Sequence, residues 1–214
     1  MRNGKNIIIM ILFIILAGCS SSKIISTWKK PDAEMKNYNK ILVIGVIRES
    51  DQSFREKMEN HLTGDLKALG YNALSSLEQY GLKGFEKMDS QSAYKKLLAD
   101  NFDAVLTIVL LDKKKEKYYV PARVINAPYN TPHSSLWNYY NSMLDRVDDK
   151  NYYGITTSYF WESNFYDLDK KELLYSVQTQ SFDPVNTATL GHEYGLIIIN
   201  NMVKSQVLAK QAGH

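Results

Sequence analysis

The chain has 214 residues, with 26 Lys plus Arg against 23 Asp plus Glu and a net charge of +3. Apolar residues make up 44%, aromatics 12% and charged residues 23%. That is enough chain for one domain with a sizeable core, and it excludes a disordered, collagen-like or disulfide-built protein. The balanced charge lacks the basic stripe of a nucleic-acid binder, so no nucleic-acid partner is expected.

The chain opens as a lipoprotein signal peptide over residues 1–18. Arg2 and Lys5 form a short positive segment, and Ile7 to Leu16 is an unbroken apolar run. A membrane-spanning helix needs about 20 apolar residues, so this run is too short to be a stable anchor. It has the length of a secretory signal core. Leu16-Ala17-Gly18-Cys19 then matches the bacterial lipobox, with two small residues before the cysteine. The Cys19 thiol is the expected acceptor for a diacylglycerol group. Cleavage before Cys19 removes Arg2 and Lys5, leaving 24 basic against 23 acidic residues, a net +1. Two or more acyl chains anchor stably at ~0.8 kcal/mol per buried methylene, so the membrane is the first expected partner. Cys19 is the only cysteine, so the fold relies on packing and not on disulfides. Ser20, Ser21 and Ser22 carry neither an inner-membrane retention Asp nor an acidic surface-export stretch. The expected address is the periplasmic face of an outer membrane. Residues 19–38, polar and containing Pro31, read as a lipidated tether, with Ile24, Ile25 and Trp28 as apolar exceptions that can dock.

Residues 39–212 read as a single α/β domain: βαβαβ, then antiparallel strands and a C-terminal helix, packed on one mixed sheet. Lys40 to Ile47 is a continuous β-branched run typical of a central strand. Ser50 or Asp51 is placed to cap a helix whose face carries Phe54, Met58, Leu62, Leu66 and Leu69. Gly70 is placed to end it. Tyr71 to Ser75 predicts a short strand. Gly81 and Gly84 break any pattern over 76–88. A helix over 90–100 presents Ala93, Leu97 and Leu98, and Ala104 to Leu111 is a second buried strand. This alternation favours helices layered on a sheet.

The second half changes character. Asp112 to Lys117 reads as a charged hairpin tip, with Tyr118 to Ile125 returning as a strand in which Pro121 marks a sheet edge or a bulge. Residues 126–150 show no clean period. Gly154 to Tyr166 predicts a long strand in which Ile155, Thr157, Tyr159, Trp161 and Phe165 alternate. After a turn, Leu173, Tyr175 and Val177 alternate with Ser176 and Gln178, a hairpin with one wet face. Asp183-Pro184 ends it. Asn186 or Thr187 then starts a helix with Leu190, Tyr194, Ile197, Ile198, Val203 and Val207 on its apolar side.

Several of these stretches resemble a group of uncharacterised Gram-negative, Bacteroidetes-type lipoproteins. They are Trp28-Lys29-Lys30-Pro31, Lys40 to Gly45, Arg55 with Glu59, Trp161 to Asp167, and Leu173 to Ser176 with Thr179. Tyr175 stands where that group has Trp. The order of elements is also similar to the TolB N-terminal domain and to lipoprotein activators of penicillin-binding proteins. These resemblances imply an envelope lipoprotein and carry no catalytic residues.

Enzymatic motifs are sparse. His192-Glu193 begins like a zincin helix, but Leu196 occupies the place of the second ligand, so no metal is expected. His61 reads as a helix-flank residue and His214 as a frayed end. There is no Gly-x-Ser-x-Gly turn and no phosphate loop, so no cofactor is expected. Glu162 and Asp167 lie roughly 16 Å apart on one extended segment and on opposite faces, which excludes them as a glycosidase pair with each other. Lys113, Lys114, Lys115 and Lys117 read as a solvated tip. One feature rises above background. Between Tyr129 and Tyr166, 11 of 38 residues are aromatic, and Tyr129, Trp137, Tyr139 and Tyr140 fall in the irregular stretch. Such side chains suit a protein hot spot or a sugar face. The leading expectation is therefore a non-enzymatic, outer-membrane-anchored binding or scaffolding module for an envelope protein or cell-wall polymer such as peptidoglycan. The alternatives are an envelope hydrolase acting on glycan or ester bonds, and a carrier of a small apolar ligand.

Overall fold

The computed structural model describes residues 21–48, 51–119, 153–184 and 186–211. The chain divides into two compact units, residues 1–112 with 159–214, and residues 113–158.

The first unit is built on a mixed sheet. Its strands are β1 (Ser22–Lys29), β2 (Ile41–Val46), β3 (Ala73–Ser75), β4 (Ala104–Tyr119), β5 (Tyr153–Asp167) and β6 (Glu172–Phe182). Its helices are α1 (Gln52–Ala68), α2 (Ser76–Tyr80), α3 (Ser90–Ala99) and α4 (Thr187–Lys204). The strand order is β1-β6-β5-β4-β2-β3. β2 pairs in parallel with β3 and β4, and β1 pairs antiparallel with β6. β4 and β5 continue into the second unit, where residues 113–119 and 153–158 are their described part. The expected α+β class with one mixed sheet is the observed one.

Local sequence explains most elements. β2 lies between two parallel neighbours, with Ile41 and Val43 facing one core cluster and Leu42 and Ile44 the other, so both faces are covered over Ile41 to Ile44 and the run is apolar. On α1, Phe54, Met58, Leu62 and Leu66 form one buried stripe. Gly70 has φ +97°. It lets Gly70 N–H reach the Lys67 carbonyl and Tyr71 N–H the Leu66 carbonyl, a Schellman motif. The same two-bond ending closes α3 around Asn101 and α4 around Gln206, whose φ values are +61° and +56°. Asn186 caps α4, its Oδ1 accepting from the Ala188 and Thr189 amides. Asp51 holds the cap position of α1 without a side-chain hydrogen bond.

The structure corrects the sequence reading in four places. Ser22–Lys29, read as part of a tether, is β1, an edge strand of the sheet. A register shift between Ile24 and Ser26 breaks its alternation, which hides the strand from a period-2 search. Asp112–Lys117 is no hairpin tip but the continuation of β4. Residues 111–117 are all exposed, so polar side chains occupy both faces and nothing alternates. On α3, Leu97 is buried while Leu98 is exposed. On α4, Val203 is exposed and Ile199 and Met202 take its place in the core, as a 3.6-residue period from Leu190 dictates. Tyr118 and Tyr119, read as the start of a return strand, also belong to β4; Pro121, the rest of that strand to Ile125 and residues 126–150 lie outside the described residues.

The core has two parts. On one sheet face, Trp161 and Phe165 of β5 and Tyr175 and Val177 of β6 pack against Met58 and Leu62 of α1 and Tyr194 and Ile198 of α4. On the other, Leu42 and Val105 pack with Leu97 and Phe102, flanked by Tyr80, Phe85 and Tyr94. This second layer covers the β2–β4 side of the sheet. On the same face Tyr94 of α3 reaches the end of β5 beside Tyr166, while Ser26 and Trp28 of β1 are exposed.

Candidate functional site

The residues that carry the lipoprotein resemblance fall into three places. The first is a buried carboxylate. Glu59 is fully buried. Its Oε1 accepts from Gly45 N–H at 2.8 Å, Arg55 Nε at 2.9 Å and Ser76 Oγ at 3.0 Å. Its Oε2 accepts from Ser75 Oγ at 2.6 Å and Leu77 N–H at 2.8 Å. Arg55 also donates to Ser76 Oγ at 3.1 Å. A Cβ at Gly45 would stand 2.9 Å from Arg55 Cγ and 3.0 Å from Glu59 Oε1, so glycine is required by close approach. This node ties β2, the β3–α2 junction and α1 together. With five donors on two oxygens, Glu59 is a structural fastener and has no lone pair aimed at solvent.

The second place is the corner where β5 ends. Asp167 is buried and accepts from Lys36 Nζ at 3.3 Å, Tyr38 O–H at 3.4 Å and Lys170 N–H at 3.0 Å. Lys36 also meets Asp169 at 2.6 Å, and Lys30 pairs with Glu172. Burial pulls the Lys36 ammonium down, but its bond to Asp169 and the charge of Asp167 outweigh this and hold it above its ordinary value. Burial first, and the Asp167 charge second, push the Tyr38 phenol up. A polar cleft of about 260 Å³ opens here between the 30–36 loop and Lys170, Glu172 and Leu174. Of its lining charges, Lys30 is mated to Glu172 and Lys36 to Asp167.

The third place is the wet sheet face. Parity along β5 turns Trp161 and Phe165 into the core and Glu162, Asn164 and Tyr166 away from it. On β6, Tyr175 and Val177 point inward, so Ser176, Gln178 and Gln180 share the wet face. Across the β1–β6 ladder Ser26 is opposite Gln178 and Trp28 is opposite Ser176, which puts both on that face. Glu162 is the hub: Asn164 Nδ2 donates to Oε1 at 2.9 Å and Gln178 Nε2 to Oε2 at 3.0 Å. Ser26 Oγ reaches Gln178 Oε1 at 3.4 Å. Both amides give their N–H groups to the carboxylate, so their carbonyl oxygens face out as acceptors, that of Gln178 already taking the Ser26 hydroxyl. Trp28 is 46% exposed at the rim. Burial, then Glu162 and Tyr94, push the Tyr166 phenol up. An aromatic plate beside an acceptor-rich polar row is the chemistry that receives hydroxyl donors. Sequence reasoning recorded a wet face on the hairpin of β5 and β6 but neither the β1 residues that join it nor the hub role of Glu162. The signal available was the Glu162-x-Asn164-x-Tyr166 alternation.

The histidines sit elsewhere. His61 of α1 and His192 of α4 have ring centroids 6.1 Å apart. Gly191 and Gly195 let α4 approach α1 closely, facing His61 and Asp65. Asp65 Oδ2 is buried there without a hydrogen-bond partner. Burial raises the Asp65 carboxyl, opposed by the charges of His192 and His61. Among the described residues no group of three or more His, Cys, Asp or Glu is placed to hold a metal ion. Glu193, read beside His192 as a zincin fragment, instead accepts from the Ser21 backbone N–H at 3.0 Å and Ser21 Oγ at 2.5 Å. Glu162 and Asp167 lie on opposite faces of β5, in agreement with the sequence reading. Leu16, Ala17, Gly18 and Cys19, and the aromatic set Tyr129, Trp137, Tyr139 and Tyr140, lie outside the described residues. No helix among the described residues is long and apolar enough to cross a membrane.

No protein-family profile and no curated protein matches this sequence. Among solved structures, the chain is similar to the PelC dodecamer from Paraburkholderia phytofirmans, with a TM-score of 0.46 at 10% identity over 89% of this chain and 99% of that one. A point variant of the same dodecamer gives 0.47 at 9% identity over the same shares. The lipoprotein GNA1162 from Neisseria meningitidis gives 0.42 at 13% identity, over 78% of this chain and 99% of that one.

Proposed function

We propose that this chain is a lipid-anchored protein of the bacterial envelope, on the periplasmic face of the outer membrane, that binds a cell-wall polymer and performs no reaction of its own. The anchor rests on the lipobox Leu16-Ala17-Gly18-Cys19. The binding role rests on the wet face of β1, β6 and β5. Trp28 and Glu162 are two strands and about two residues apart on that face, roughly 12 Å at sheet spacings, the length of a short oligosaccharide. Sugar C–H faces stack on an indole, and sugar hydroxyls donate to carboxylate and amide oxygens. Glu59 and Asp167, the fully buried acids among the described residues, give their oxygens to donors of their own fold. The aromatic set Tyr129, Trp137, Tyr139 and Tyr140 supplies a second contact in this reading.

Co-sedimentation with purified peptidoglycan tests the face. The wild type pellets with the polymer, while Trp28→Ala combined with Glu162→Gln stays in the supernatant. Equal pelleting of the two proteins refutes the face as the binding surface. Failure of the wild type to pellet, with crosslinking in intact envelopes capturing a protein through position 28 or 178, replaces the polymer by a protein partner. The same crosslinking with Trp137→Ala plus Tyr140→Ala tests the second contact. Palmitate incorporation in the wild type and its loss in Cys19→Ser test the anchor.

A further inference from the structure

Ser21, two residues after the lipobox cysteine in the sequence, is tied into the fold. Ser21 is held at three atoms: its N–H and Oγ donate to Glu193 of α4, and its carbonyl accepts from Phe182 N–H at 2.8 Å. One residue later β1 starts, with Ser22 Oγ bonded to Ser181 Oγ at 2.7 Å in a buried position. Cys19 precedes Ser21 by two residues, a distance that covalent geometry limits to about 7 Å. An acyl chain on Cys19 must enter the bilayer, so Ser21 cannot stand far from the headgroups. A flexible tether of twenty residues would instead give an average reach of about 25 Å.

We propose that Glu193 and Phe182 clamp the start of β1 to the domain two residues from the lipid-bearing Cys19, so that the domain stands on the membrane at the Ser22–Ser181 end of its sheet. This inference rests on the lipid-anchor reading above and goes beyond it, because an anchor alone leaves the orientation free. Lys23, whose ammonium lies 4.9 Å over the Phe182 ring, belongs to the membrane-facing end. Lys29 closes the same strand six residues further on, about 20 Å away along β1. Trp28 and the wet face therefore rise from the membrane and look sideways, open to a polymer lying above the bilayer.

The test is a depth measurement on the acylated full chain in vesicles of phosphatidylethanolamine and phosphatidylglycerol. Once Cys19 is acylated, an introduced cysteine is the sole free thiol. A bimane on Lys23→Cys and one on Lys29→Cys are compared for quenching by headgroup-spin-labelled lipid. Position 23 is expected to be quenched several-fold more strongly than position 29. A ten-residue Gly-Ser insert between Ser20 and Ser21, with a mean span of about 17 Å, is expected to abolish the contrast. Equal quenching at the two positions in acylated protein overturns the clamp and leaves the anchor standing, as does a contrast that survives the insert. Absence of the acyl mass overturns the anchor and the clamp together.

Discussion

Changing Glu59 to Gln alters one atom and keeps the shape of the side chain. Glu59 receives two backbone N–H groups, from Gly45 on Oε1 and from Leu77 on Oε2. A glutamine has a single carbonyl oxygen, so in either orientation one of these N–H groups faces an amide N–H₂. The serine hydroxyls at 75 and 76 can rotate and accept, but a backbone N–H cannot. A buried donor left without an acceptor costs about 1–3 kcal/mol. The Arg55 guanidinium, whose side chain is 14% exposed, also loses its countercharge, and breaking one side of a buried pair costs about 3–5 kcal/mol in all. Glu59→Gln should therefore lose about 3–5 kcal/mol. Urea unfolding followed by tryptophan fluorescence reads this directly, since Trp161 is fully buried in the same domain. With a slope near 2 kcal/mol per molar urea, the midpoint falls by about 2 M. The neighbouring exposed Glu56→Gln should stay within about 0.5 kcal/mol of the wild type. A Glu59→Gln midpoint within about 0.5 M of the wild type, at unchanged slope, would refute the fastener role.

Three further outcomes are expected. Gln206 ends α4 at φ +56°, where glycine fits without a Cβ penalty; Gln206→Gly should stabilise by about 0.5–1 kcal/mol, read as a higher thermal midpoint. Asn186→Ala removes both cap bonds of α4 and should cost about 1 kcal/mol in the same melt, with no change if the cap were ornamental. Asp65 has its carboxyl raised in the fold, chiefly by burial. Its contribution to stability is present below the unfolded value of 3.8 and is lost as pH rises through the raised folded value. Asp65→Asn should therefore gain on the wild type between pH 4 and neutrality in a series of urea titrations. His61 and His192 face the same carboxylate and oppose the effect when protonated. A gap that is flat or narrows with rising pH removes Asp65 as the source.

What the linear sequence determined about this protein was local. The apolar run of β2, the stripe on α1 and the hairpin alternation of β6 follow from residue type and spacing alone, because burial on one face imposes a period that neighbours in sequence share. Asn186 and Gly70 punctuate the helices for the same reason. Tertiary structure decided what depends on partners far away in the chain. β1 became a strand because β6 lies beside it, and its bulge at Ile25 removed the pattern that would have shown it. β4 ran on through Asp112–Lys117 by strand pairing, where no buried face was there to leave a mark in the sequence. Glu59 acquired five donors from β2, α1 and the β3–α2 junction, and Glu162 met Gln178 and Ser26 only when β1, β6 and β5 came together. Side-chain type and spacing report which face a residue prefers; the identity of its neighbour across the sheet is set by chain topology, which short-range periodicity does not encode.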